Sequence, residues 1–337
     1  MKEVNNIINE IKKGNIKPVY FLTGDTDFFI DQISNYIEEN LLPEDAKGFD
    51  QMVLYGMDVN MRDLVMQAKR FPMIGERIVM IIKEAQHLFK KKDDFDVFEE
   101  YMKLPSDKTV IVFNYKHKKP DGRKKVFKLI KEKGVFYQGK KLYERDVVKW
   151  IQDTVLGMGY QIDIKSTQML VEFLGTDLSK IYNEINKLKI LIPEKSSITP
   201  DIIEKNIGIS KEYNNFELKD AIAKNDYLKA QRIINYYNAN PKEHAIPAIL
   251  PNLYTFFKNL FLYHSLVDKS EYSVSKALGI HKFFVRDYEA AARKYPMKKI
   301  TRIMSYLQEA DLKSKGVNSG TMTQKDIMNE LIFKVMH

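Results

Sequence analysis

Residues 18–33 read PVYFLTGDTDFFIDQI. The first half is an apolar run of strand length, rich in aromatic and β-branched residues and closed by Gly24. The second half turns helical, with Phe29, Ile30, Ile33 and then Ile37 repeating near the 3.6-residue period. A strand that feeds a helix through a glycine turn opens a parallel α/β sheet. Where such a turn holds nucleotide phosphates it reads G-x-x-x-x-G-K-[ST], because backbone amides and a lysine must grip the anion. Here it reads GDTDFFID. Gly24 stands, but the second glycine, the lysine and the hydroxyl residue do not, and Asp25, Asp27 and Asp31 repel phosphate. The strand at 109–114 ends in Asn114 and supplies no acidic pair for a metal. The stretch therefore predicts an ATPase-like fold without a nucleotide site, and no cofactor.

Working outward, the alternation continues to about residue 141. Strands are expected at 18–24, 51–56, 77–82, 109–114 and 134–138, and helices at 26–42, 60–70, 93–103 and 122–133. Helix 60–70 turns Met61, Leu64, Val65 and Ala68 to one side, and helix 122–133 turns Val126, Phe127 and Ile130 inward. After Leu142 few strand-like runs remain. Helices are expected at 143–160, 163–173, 177–191 and 199–208, the third with the stripe Leu178, Ile181, Ile185 and Leu188. A polar break at 211–215 precedes further helices at 216–223, 227–237, 243–267, 274–278, 283–294, 297–315 and 321–336, with Pro247 and Pro251 kinking the third or delaying its start. The expected plan is an α/β domain (1–141) followed by two all-α domains (142–210 and 211–337).

The chain has 337 residues and no cysteine, which removes disulfides, thiolate metal sites and thiol nucleophiles and suits a reducing cytoplasm. The first residues carry no apolar stretch of signal-peptide length, and no run approaches a membrane span. The six histidines show no metal-ligand spacing, and His264, in an apolar helix, is expected to be a packed core residue. There is no G-x-S-x-G elbow, and no intrinsic catalytic site is expected. The formal net charge of +9 is concentrated: residues 116–141 hold eleven Lys/Arg against two Asp/Glu, and the rest of the chain balances. Such a segment is either a solvated helix face or a contact for an anionic partner such as nucleic acid. In HKFFVRDY (281–288), Phe283 and Phe284 are expected in the core.

One break is apolar. In RFPMIGERIVMIIKE (70–84), Phe71, Pro72, Met73 and Ile74 stand before Gly75, between the helix at 60–70 and the strand at 77–82. Breaks lie on surfaces and are usually polar, so these side chains either cap the domain's own core or serve another molecule.

Over nearly its whole length the sequence resembles the delta subunit of bacterial DNA polymerase III, a clamp-loader subunit. IKPVYFLTGDTDFFIDQI (16–33), RFPMIGERIVMIIKEA (70–85), GTDLSKIYNEINKL (175–188) and EADLKSKG (309–316) carry the likeness, in order and spacing. The resemblance implies an AAA+-like first domain without a nucleotide site, a helical lid and a helical collar that assembles with the gamma/tau and delta-prime subunits. It implies binding to the beta sliding clamp and opening of its ring for loading onto primer–template DNA in the cytoplasm, as a non-catalytic part of a DNA-directed DNA polymerase holoenzyme. The clamp-binding element it implies is Met73 and Ile74, shaped by Pro72 and Gly75, with Phe71 turned inward. Burying Met73 and Ile74 in a clamp pocket is worth roughly 3–6 kcal/mol before costs, at ~1.5–3 each. Lys118, Lys119, Arg123, Lys124 and Lys125 are the candidates for phosphate contact inside a loader ring. An active ATPase with a degenerate phosphate loop and a free-standing DNA-binding protein are the competing readings.

Overall fold

The computed structural model describes residues 2–90 and 92–337. It divides into two compact units, the first ending at Leu142 and the second running Tyr143–His337.

The first unit is a five-stranded sheet flanked by helices. The strands are β1 (Val19–Gly24), β2 (Gln51–Tyr55), β3 (Ile78–Lys83), β4 (Thr109–Tyr115) and β5 (Val135–Gly139). The helices are α1 (Lys2–Lys12), α2 (Asp27–Asn40), α3 (Glu44–Asp50), α4 (Met61–Ala68), α5 (Lys92–Lys103) and α6 (Lys125–Lys133). The order across the sheet is β2-β3-β4-β1-β5, and every pair is parallel. β1 and β4 are buried along their whole length, as continuous Val/Ile/Phe runs covered on both faces must be. The stripes expected on helices 26–42, 60–70 and 122–133 are all buried. Gly24 is fixed by its surroundings: its φ is +129°, and a Cβ there would lie 2.2 Å from the Gly139 carbonyl oxygen on β5.

The second unit is helical. Its helices are α7 (Glu144–Gly157), α8 (Ile164–Leu174), α9 (Leu178–Leu191), α10 (Pro200–Ile207), α11 (Asn215–Lys224), α12 (Tyr227–Ala239), α13 (Ile246–Ser265), α14 (Glu271–Leu278), α15 (Val285–Lys294), α16 (Met297–Ser314) and α17 (Gln324–Met336). Two short parallel strands, β6 (Gln161–Ile162) and β7 (Ser197–Ile198), join the turns around α8 and α9. Pro247 delays α13, which starts at Ile246, and the helix then continues through Pro251. Core residues such as Phe257, Tyr295, Ile303 and Ile332 are fully enclosed among α11 to α17. Lys219 on α11 pairs with Glu172 on α8, both largely withdrawn from solvent. Two expectations are corrected. Phe283 is 58% exposed rather than in the core, because it stands in a short 3₁₀ turn ahead of α15. His264 is half-buried, its Nε2 2.8 Å from the Tyr295 carbonyl oxygen, so it serves a backbone group at the rim of the core.

Candidate protein-contact site

The parallel sheet has two edges with different contents. At the carboxyl edge, β1 passes through Asp25 and Thr26 directly into α2. The Asp25 N–H donates to the Gly139 carbonyl at 3.0 Å, and the Thr26 hydroxyl donates to the Lys140 carbonyl at 2.9 Å. The three aspartates face basic residues from the loop after β4. Lys116 meets Asp31 at 2.6 Å, Lys119 meets Asp25 at 3.7 Å, and His117 Nε2 lies 3.8 Å from Asp27. Asp31 and Asp25 of this turn are thus paired with lysines of the same chain.

At the amino edge, the segment between α4 and β3 carries the apolar break. Phe71 is 83% exposed, Met73 65% and Ile74 53%. Phe71, expected inward, faces solvent instead. The backbone that follows it is held from a point 23 residues before Met73. α3 ends at Asp50, the residue before β2, and Gln51 of β2 pairs with Val79 of β3. That register brings the Asp50 carboxylate to the segment that feeds β3. Its Oδ1 accepts the Met73 N–H at 2.6 Å, and its Oδ2 accepts the Ile74 and Gly75 N–H groups at 2.8 and 2.6 Å. Asp50 is only 1% exposed. Burial alone would raise its carboxyl pKa, but the N–H donors of Met73, Gly75 and Ile74 and the charge of Arg70 outweigh it and hold the group below the ordinary carboxylate range. Charge-assisted bonds of this kind are each worth about 1.5–3 kcal/mol.

With its three amides satisfied, the turn holds its backbone against the domain and its side chains away from it. Pro72 and Gly75 are half-buried beneath it. Gly75 is needed for space: a Cβ there would sit 3.2 Å from Leu42 Cδ2 and 3.3 Å from Ala46 Cβ of α3. Sequence reading found the apolar residues and missed Asp50. The one signal was an aspartate opening directly onto a strand, with no pattern tying it to residue 73.

The basic segment is dispersed. Lys119 is engaged with Asp25, Arg123 bonds Asp121 at 3.1 Å, and the Lys124 ammonium sits 3.1 Å from the Phe95 ring centroid. Lys118 and Lys125 are exposed and make no ion pair among the described residues. Among the described residues no group of three or more His, Asp or Glu is placed to hold a metal, and no helix is long and apolar enough to cross a membrane.

The first unit is thus a parallel five-stranded α/β sheet with an apolar turn presented at one end, and the second unit is helical. Family models match both units: the DNA polymerase III delta subunit matches residues 20–138, and the C-terminal domain of the same subunit matches residues 212–335. The chain belongs to the DNA polymerase III delta subunit family. It is 24% identical over 319 residues to the DNA polymerase III subunit delta of Bacillus subtilis, covering 93% of this chain and 92% of that one. Its fold is similar to the Bacillus subtilis DNA clamp loader delta protein YqeN, with a TM-score of 0.57, 22% identity and 99% of both chains covered. Membership of this family gives the chain a role in clamp loading.

Proposed function

We propose that this chain binds the beta sliding clamp through the turn at 71–75 and opens, or holds open, one interface of the clamp ring, without hydrolysing ATP itself. The observation that carries the reading is the outward presentation of Met73 and Ile74 on a backbone pinned at Asp50. An exposed Met and Ile side by side, with Phe71 beside them, is surface that a monomer gains nothing by displaying. Met is flexible and polarizable and fills an irregular pocket well. A ligand that prefers the open ring shifts the ring's equilibrium by its differential affinity, and no chemistry is needed. Residues 1–141 serve as the clamp-binding domain, 142–210 as lid and 211–337 as the collar that joins gamma/tau and delta-prime, in the cytoplasm. The engaged aspartates at 25, 27 and 31 support leaving ATP hydrolysis to the neighbouring subunits. Lys118 and Lys125, and more weakly the engaged Lys119, Arg123 and Lys124, are the candidates for primer–template phosphates inside the assembled ring.

The test is a clamp pull-down and titration with wild type and Met73→Ala/Ile74→Ala. Loss of affinity of about 30-fold or more is expected, since each ~1.4 kcal/mol of lost burial is tenfold. Unchanged affinity in the double variant removes the assignment, and ATP turnover by the purified chain alone reverses the non-catalytic reading.

A further inference from the structure

Asp50 touches no surface that a partner reaches, yet three consecutive backbone amides of the contact turn converge on its carboxylate. Three donors at 2.6–2.8 Å leave that turn no freedom to rotate its peptide planes independently. The carboxylate is held from its own side by α3 and by the pairing of β2 with β3, both rigid elements. Gly75 packs closely here: a Cβ added to it would lie 3.2 Å from Leu42 Cδ2, 3.3 Å from Ala46 Cβ of α3 and 3.4 Å from the Asp50 Oδ2. Arg70, at the start of the same break, adds a favourable charge.

We infer that Asp50 is the positioning residue of the clamp contact: it holds Met73 and Ile74 in the conformation the partner receives, so that little ordering remains to be done on binding. The inference rests on the proposed clamp contact and goes beyond it, naming a buried group that acts on affinity without touching the partner. Preorganisation of this kind raises affinity by removing the entropy of fixing a loop at the moment of association. An amide in place of the carboxylate keeps the volume but offers one acceptor oxygen and turns an NH₂ group toward backbone N–H donors.

The experiment uses the full chain and four proteins: wild type, Asp50→Asn, Met73→Ala/Ile74→Ala, and the triple variant. Clamp affinity and amide hydrogen exchange are measured for each. In Asp50→Asn the amides of Met73, Ile74 and Gly75 should exchange faster while those of β3 and β4 stay protected, and clamp affinity should fall by about tenfold or more. On the Met73→Ala/Ile74→Ala background the same change should leave affinity nearly unmoved, because nothing remains to be positioned. An equal loss on both backgrounds overturns the inference, as does full affinity in Asp50→Asn with a loosened turn. Loss of protection throughout the sheet would mean that Asp50 only supports the fold, and it also overturns the claim. If Met73→Ala/Ile74→Ala alone leaves affinity intact, the contact itself is wrong and the positioning role falls with it. That result is distinguishable, because it appears without any change at Asp50.

Discussion

The smallest features decide the contact turn. Gly75 has no need of a left-handed backbone; a methyl group there would press on Leu42, Ala46 and the Asp50 carboxylate at 3.2–3.4 Å. Gly24 is a harsher case, because its φ is positive and its missing Cβ would collide with the backbone of Gly139. Gly24→Ala should cost about 3 kcal/mol or more, and an unfolding midpoint equal to wild type would contradict the close β1–β5 approach. Asp50 carries a pH signature. Its folded pKa is lowered, so its contribution is present above the unfolded carboxyl value near ~3.9 and is lost as pH falls through the folded value. The stability gap between wild type and Asp50→Asn should narrow below ~pH 4; a gap constant into acid would show that the carboxylate charge does not support the turn.

At the scale of elements, what could be read in advance followed from periodicity. The five strands are short runs rich in apolar residues, and the buried stripes on α2, α4, α6 and α9 lie where a 3.6-residue repeat puts them. The helix α1, eleven residues with Val4 and Ile11 buried, is not among the expected elements; the shorter misses share a physical cause. α3 is seven residues of EDAKGFD, too short and polar to show a stripe, and β6 and β7 are two residues each. The carboxylate that shapes the contact turn sits at the end of the element that had no signal, and its bonds span 23 to 25 residues. Phe71 was misjudged because composition favours burying a phenylalanine, whereas a turn tied down by its own amides decides which side chain leaves the surface. Met73 and Ile74 are legible as an apolar break, but their proposed use by a partner comes from family likeness and not from spacing. The carboxyl edge makes its own prediction. With Asp25, Asp27 and Asp31 engaged by Lys119, His117 and Lys116, millimolar Mg-ATP should leave the melting temperature unmoved, whereas a ligand at ~100 times its Kd would add about 2.7 kcal/mol.

For the molecule as a whole, the helical unit contains an ion pair largely withdrawn from solvent, Lys219 with Glu172. Burial works against the Lys219 charge, but Glu172 outweighs it and raises the Lys219 pKa. The second Glu172 oxygen has no hydrogen-bond partner, so the carboxylate relies on that single ammonium. Lys219→Met should destabilise by about 3 kcal/mol, and Lys219→Met/Glu172→Leu should recover most of the loss, because an orphaned charge is worse than none. Thermal unfolding of both variants checks this; a double variant as unstable as the single would mean that the pair itself stabilises the unit.

The separation of the two sheet edges has a practical meaning. A six-residue strand such as β3 rises about 20 Å, so the Asp25–Asp31 cluster and the Met73–Ile74 turn stand at opposite ends of a stiff ruler. Groups so far apart with no shared neighbours add within ~0.5 kcal/mol when changed together. Substitutions at one end can thus be made without retuning the other: an engineer could graft a phosphate cradle beside Gly24 and leave the Met73–Ile74 turn as it is.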